Sequence, residues 1–153
     1  MIKLWIKETD IPQLTSFAGT IDSDSLKPFV YIAQTTDLKP ILGLELYNKI
    51  DTDYIASDLS GVYLQMYNEY VLDMLVYFSC SRYIALNPVK VAQNGIVKPE
   101  MSADKKEIDS LSARYNALAN NVVVNFKAFM KTITIPEYNI NTEKRTTNII
   151  PWY

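Results

Sequence analysis

The chain has 153 residues, of which 48% are hydrophobic, and this size and composition predict one domain with a modest core. Its 15 basic and 17 acidic residues give a net charge of −2, which argues against a protein that grips phosphates along a broad basic face. It has no histidine and one cysteine, so imidazole catalysis, an intramolecular disulfide and zinc sites built from these residues are excluded.

The N-terminal segment alternates in polarity over residues 2–7, with Ile2, Leu4 and Ile6 on one side of an extended chain. This pattern predicts a short strand or an extended arm. The segment lacks the long apolar core and cleavage site of a signal peptide, and no stretch approaches the ~20 apolar residues of a membrane span. We therefore expect a soluble protein that is not secreted, and the single cysteine fits a reducing cytoplasm.

The tripeptide Leu-Lys-Pro occurs twice, ending at Pro28 and at Pro40. Proline is tolerated in the first turn of a helix, where its missing N–H has no intrahelical acceptor. The repeat therefore predicts two helices, near 24–36 and 38–50, each begun by a proline and separated by a corner, with Gly43 able to bend the chain. Capping side chains are available before both prolines: Asp24 or Ser25, and Asp37.

A long helix is predicted over residues 61–86, and its apolar residues cover more than one stripe, so it must be contacted on several sides. Cys80 lies in its middle, where we expect a buried, inert thiol. Arg82 lies in the same apolar helix and needs a carboxylate or carbonyl partner, either within the fold or in another subunit.

A β-hairpin is predicted over residues 89–98, because Asn94-Gly95 is a strong turn signal between alternating residues. An isolated two-stranded ribbon is only marginally stable, so we expect it to pack on another element or another subunit. The last helix is predicted over residues 102–131, opened by Ser102 and Asp104. Its apolar residues recur at spacings of three and four: Ile108, Leu111, Tyr115, Leu118, Val122, Phe126 and Phe129.

The C-terminal segment, residues 136–153, is a polar run closed by an apolar cluster. The cluster consists of Ile149, Ile150, Trp152 and Tyr153. It either folds back on its own domain or docks on another molecule, and the polar spacer gives it the reach for the second. Paired carboxylates also occur, but they lie beside caps and turns, where acidic residues favour the helix dipole. We assign no catalytic, metal or cofactor site.

Two stretches of the sequence are the main basis of a resemblance to a known family: Leu26-Lys-Pro-Phe-Val-Tyr-Ile-Ala-Gln, and Leu38-Lys-Pro-Ile-Leu-Gly-Leu-Glu-Leu-Tyr. Together with the tyrosine-rich helix, the Val91-Ala-Gln-Asn-Gly-Ile-Val stretch and the final helix, they resemble the head–tail connector (adaptor) proteins of tailed bacteriophages, those of crAss-like phages above all. The resemblance spans roughly residues 20–135.

The resemblance implies a non-enzymatic subunit of a typically dodecameric ring, located in the neck of the virion between portal and tail and assembled in the bacterial host cytoplasm. Its partners would be further copies, the portal protein and a neighbouring tail or ring protein, with genomic DNA passing through the channel without specific binding. No membrane is involved.

The sequence thus predicts an all-α fold of about four main helices over residues 1–135, with a hairpin insertion and an extended docking arm at 136–153. The arm cluster is assigned as an anchor to the portal or an adjacent subunit. The hairpin residues Val91, Asn94, Gly95 and Ile96, with Arg82, are assigned to subunit interfaces. A monomeric helical protein-binding module is the alternative; an enzyme using paired carboxylates and a metal ranks last.

Overall fold

The structure, a computed structural model, describes residues 3–7, 10–11, 23–86, 90–92, 95–97 and 104–138. The described chain is mainly helical, as the sequence predicts, and its architecture is all-α. The helices next to the turns of the chain are short, and the helices that form the core are long.

The first helical segment is one continuous run made of α1 (Ser23–Ile32), a π-helical turn π1 (Ala33–Leu38) and α2 (Lys39–Leu42). The predicted corner before the second Leu-Lys-Pro is therefore wrong. The chain passes through Pro40 without breaking, because the wider π turn just before it accommodates a residue that cannot donate the usual hydrogen bond. The chain turns at Gly43, the residue that the sequence indicated as able to bend it, and its φ of 78° favours glycine.

The predicted starting role of the first proline also needs correction. Pro28 lies inside α1, beyond its first turn, because the helix already begins at Ser23. Asp37 does not cap a helix start, since it lies within π1. Its side chain has a different role, described below.

The next helix, α3 (Leu44–Ala56), continues past the predicted end at residue 50 and stops at Ser57, which adopts the left-handed conformation with φ 58°. The predicted helix over 61–86 is then present as α4 (Gly61–Met66), a second π turn π2 (Tyr67–Val71) and α5 (Leu72–Leu86).

The centre of the fold is α5, which packs against α6 (Lys105–Met130) on one side and against α1 and π1 on the other. Because other helices pack on α5 from more than one direction, its apolar residues are not confined to one stripe, and seven of its residues are buried. Contacts across the two long helices run in opposite directions along the chain, so the helices are antiparallel. These contacts are Ser81 with Ser112, Tyr77 with Tyr115, and Tyr70 with Phe126.

The last helix begins at Lys105, three residues after the predicted start, and Asp104 is its N-cap, in a reciprocal capping box with Glu107. Ser102, the other predicted opening residue, lies outside the described residues. Its buried face is centred on Tyr115, Ala119, Phe126 and Met130. The predicted apolar face therefore differs in part from the buried face. Leu111 and Leu118, which their spacing placed in the core, are 43% and 44% exposed.

Two short strands follow α5: β1 (Lys90–Ala92) and β2 (Gly95–Val97). Their backbones pair antiparallel, with Val91 opposite Ile96 and Ala92 opposite Gly95. The turn residues and the strands' side chains lie outside the described part of the chain, as do residues 139–153.

The one cysteine, Cys80, is fully buried in α5, and burial raises the pKa of its thiol to about 12. Because the thiolate is the reactive form, we expect a maleimide at mildly alkaline pH to label the folded chain at least roughly a thousandfold more slowly than the unfolded chain. Mass spectrometry of timed samples, with and without denaturant, measures the two rates. Comparable rates in both would contradict the buried position.

Candidate interaction surface

The predicted site residues fall into three groups. Arg82 is described with its side chain. For Val91, Gly95 and Ile96 the structure gives the backbone alone, in β1 and β2. The remaining predictions lie outside the described residues: Asn94, Ile149, Ile150, Trp152 and Tyr153.

Arg82 has a partner within the fold. Its Nη2 lies 2.6 Å from Oδ1 of Asp37, and its Nε donates to Oδ2 of the same carboxylate at 3.0 Å. This two-point contact raises the pKa of Arg82 and links π1 to α5. Of the two alternatives left open by the sequence, the structure therefore supplies the within-fold partner, although the Arg82 side chain stays 41% exposed.

The N-terminal segment makes a contact that its alternating pattern did not reveal. Among residues 3–7 the deepest side chain is Trp5, which is 0% exposed, whereas Leu4 and Ile6 are only half-buried. The Trp5 ring packs on Tyr47 with centroids 4.7 Å apart, and its Nε1–H donates to Asp51 Oδ1 at 2.7 Å. The indole is therefore a principal attachment of this segment to the bundle.

The receiving groove is built around a buried amide. Gln34, 1% exposed, accepts the Trp5 backbone N–H on its Oε1 at 3.1 Å and donates from Nε2 to the Lys3 carbonyl at 3.4 Å. The same Nε2 also donates to Tyr47 Oη at 3.2 Å, and Tyr67 Oη donates to the Trp5 carbonyl. We call this surface the Gln34 groove; it consists of Gln34, Tyr47, Asp51, Tyr54 and Tyr67.

Two features of the sequence belong to this groove, but neither of them predicts it. A tryptophan stands between lysines in a short N-terminal segment, and a glutamine directly follows the apolar stretch Phe29–Ala33. Each is uninformative alone, because the contact joins residues 29 positions apart.

The start of the C-terminal segment is held on the bundle. Tyr63 on α4 donates its Oη to Glu137 Oε2 at 2.7 Å, and this hydrogen bond, with burial, raises the pKa of Tyr63 to about 12. Next along the chain, the ring of Tyr138 lies edge-on to Phe126 at 5.9 Å. The point from which residues 139–153 depart is therefore fixed relative to α4 and α6.

A small apolar stripe remains on the outside of α6. Leu111 and Leu118 are both more than two-fifths exposed and lie seven residues apart, so they share one face of the helix. Single exposed apolar residues are common on monomers, whereas two on one helix face form a site that another chain can cover. On α5, burial raises the pKa of the Asp73 carboxyl.

The described residues contain no cluster of three or more acidic or cysteine side chains able to hold a metal ion. Within the same ranges, no helix is long and apolar enough to cross a membrane.

No curated protein and no solved structure matches the chain. A family model does match it, over residues 38–148, which covers α3 to α6 and the groove residues on them. Its description is a family of unknown function, DUF6712, and the chain belongs to that family.

Proposed function

We propose that this protein is a structural subunit of a phage head–tail connector ring, which bridges the portal to the tail and surrounds the DNA channel. It would act in the neck of the virion, after assembly in the bacterial host cytoplasm, and would perform no chemistry. The proposed class of protein comes from the resemblance of residues 20–135 to connector proteins. The geometry of the chain gives further support.

The observation that carries the proposal is the fixed origin of the C-terminal segment. Glu137 and Tyr138 are held against α4 and α6, and fifteen residues follow, ending in Ile149, Ile150, Trp152 and Tyr153. Fifteen residues of extended chain span up to about 50 Å, which is longer than α6 itself. An apolar cluster at the end of a segment of this length can reach and dock on the portal or an adjacent subunit.

The ring part of the proposal is supported by two separate surfaces of the chain. In a head-to-tail ring, one patch of each subunit meets a different patch of the next. The stripe of Leu111 and Leu118 is one candidate patch, and the paired strands β1 and β2, which we propose as the hairpin insertion, are the other. The net charge of −2 fits a channel wall that does not retain DNA.

The test is truncation after Tyr138. We expect the shortened chain to lose docking to the portal protein of its phage while far-UV circular dichroism stays unchanged, because the removed residues follow the last helix and its closing contacts. Electron microscopy of the mixture and a pull-down on immobilised portal measure docking.

A matched control changes the arm without touching its apolar end. The substitutions Thr146→Ala and Thr147→Ala should leave docking intact, whereas Trp152→Ala should reduce it. Full docking by the truncated chain would rule out the anchor.

A monomeric helical binding module remains the second candidate, because the Gln34 groove holds a non-helical segment of chain through its backbone. Native mass spectrometry of the full chain with its portal separates the two. A ring of copies on the portal supports the connector, and a monomer at every concentration, with the portal present, supports the module.

A further inference from the structure

Asp73 on α5 is a half-buried carboxylate without a partner. Among the residues that the structure describes, none donates a hydrogen bond to it or forms an ion pair with it. Burial raises the pKa of its carboxyl, and no neighbouring cation opposes that rise. Because a partly desolvated charge without a counter-charge is unfavourable, Asp73 offers a binding position for a cation from another chain.

Asp73 lies at the edge of a groove between α5 and α6. Burial and the charge of Asp73 raise the pKa of Tyr77, one turn along α5, and the Tyr77 ring lies 6.4 Å from that of Tyr115 on α6. Leu111 and Leu118, one turn to either side of Tyr115, supply exposed apolar surface on α6. We call these five residues the Asp73 groove. A partner that fits it presents a cation next to an apolar side chain.

The chain carries a surface of this kind on another part of α5. Arg82 and Leu86 stand four residues apart and share one face of the helix. Asp37 accepts from Nε and Nη2 of Arg82, so the N–H groups on Nη1 remain for a further acceptor. The Arg82 side chain is 41% exposed, and Leu86 is 50% exposed. We call Arg82 and Leu86 the Arg82 patch.

We propose that the Asp73 groove of one subunit binds the Arg82 patch of the next subunit in the ring. The proposal deepens the connector function and rests on it for the ring. Asp73 and Arg82 stand nine positions apart on one uninterrupted helix, which is about two and a half turns, so they project from opposite faces of α5. A head-to-tail contact joins two such different patches, and each copy then binds one neighbour on either side.

The contact would relieve the unfavourable position of Asp73. A guanidinium shared between Asp37 of its own chain and Asp73 of the neighbour compensates the partly desolvated carboxylate with charge-assisted hydrogen bonds. Covering Leu86 and Leu118 adds the burial of apolar surface. The strand β1 begins four residues after Leu86, so the Arg82 patch adjoins, along the chain, the strands proposed above as a ring surface.

The test is cysteine cross-linking of the full chain, with and without its portal. A variant with both Leu86→Cys and Leu118→Cys carries one exposed thiol on each surface, and Cys80 is buried and does not compete. The antiparallel register places Leu118 level with the first turn of α5, about 18 Å along the axis from Leu86. A short bis-maleimide therefore joins the two thiols only between chains. We expect a ladder of dimers, trimers and larger species on a denaturing gel.

A variant of Asp73 isolates the role of its carboxylate. Asp73→Asn, added to the double-cysteine chain, should reduce the ladder about tenfold or more, because it removes one charged partner of the intersubunit hydrogen bond. Urea denaturation of the isolated Asp73→Asn chain should show unchanged or higher stability, since an unpaired, partly buried charge is lost. A purely structural role of Asp73 would lower that stability instead. Glu45→Gln, at an exposed position on α3, should leave both measurements unchanged.

The outcomes separate this contact from the connector function. A ring on the portal without a ladder, or a ladder that Asp73→Asn leaves unchanged, overturns the contact and not the connector function. A ladder from a chain that forms no ring supports the contact and counts against the connector function. Loss of portal binding in Asp73→Asn with an intact ladder would assign the groove to the portal. A Leu118→Cys thiol already shielded from maleimide in the isolated monomer would assign it to the chain's own remaining residues, and either result overturns the proposal.

Discussion

Replacing Trp5 with alanine should lower the free energy of unfolding by about 3–5 kcal/mol, the usual cost of truncating a fully buried aromatic residue to alanine. Trp5 is 0% exposed, and the change removes both its ring contact with Tyr47 and its hydrogen bond to Asp51. The loss should be large for a segment of a few residues, because the indole is its principal anchor. Urea denaturation followed by circular dichroism measures it.

A graded series isolates the two contributions of the indole. Trp5→Phe keeps an aromatic ring against Tyr47 but removes the N–H that Asp51 accepts, so it should cost about 2 kcal/mol. Lys7→Ala, at an exposed neighbouring position, should change stability by less than about 0.5 kcal/mol. If Trp5→Ala were as mild as Lys7→Ala, the N-terminal segment would contribute nothing to the stability of the bundle.

The long helices were predictable because their signals are local. The spacing of apolar residues from Ile108 to Phe129 predicted α6, and Asp104, one of the two residues predicted to open it, is its N-cap. The crowded apolar pattern of residues 61–86 correctly indicated a helix contacted on more than one side. These features depend on residues three and four positions apart, which a sequence shows directly.

The corner between the first helices was mispredicted because two local rules competed. Proline at position 40 favours a helix start, and the glycine at position 43 favours a stop. The structure resolves the competition through the π turn Ala33–Leu38, whose wider spacing lets the helix pass Pro40. Once the helix passes the proline, Gly43 is the first residue able to turn the chain at low cost.

The surface contacts were hidden because each joins residues far apart in the chain. Arg82 was recognised as needing a partner, but Asp37 stands 45 positions away and had been assigned as a cap. The Gln34 groove gathers residues from π1, α3 and π2 around a tryptophan from the N-terminal segment. Only tertiary packing brings these side chains together, so no spacing rule could have named them.

Replacing Phe126 with alanine should also lower the free energy of unfolding, by about 3–5 kcal/mol, and should loosen the origin of the C-terminal segment. The ring is 0% exposed and lies between Tyr70, at 6.2 Å, and Tyr138, at 5.9 Å. Denaturation measures the first effect, and limited proteolysis after residue 135 measures the second, because Tyr138 would lose the ring it packs on.

Two control variants show whether the effects are specific to Phe126. One is on the same helix, and the other removes the ring that contacts Phe126. Val124→Ala, at a position 66% exposed, should stay within about 0.5 kcal/mol of the parent chain. Tyr138→Ala should speed proteolysis of the C-terminal segment at a much smaller cost in global stability, since Tyr138 is only partly buried. If Phe126→Ala destabilised the bundle but left proteolysis unchanged, Tyr138 would not be what holds the segment in place. The fixed origin would then rest on the hydrogen bond between Tyr63 and Glu137 alone.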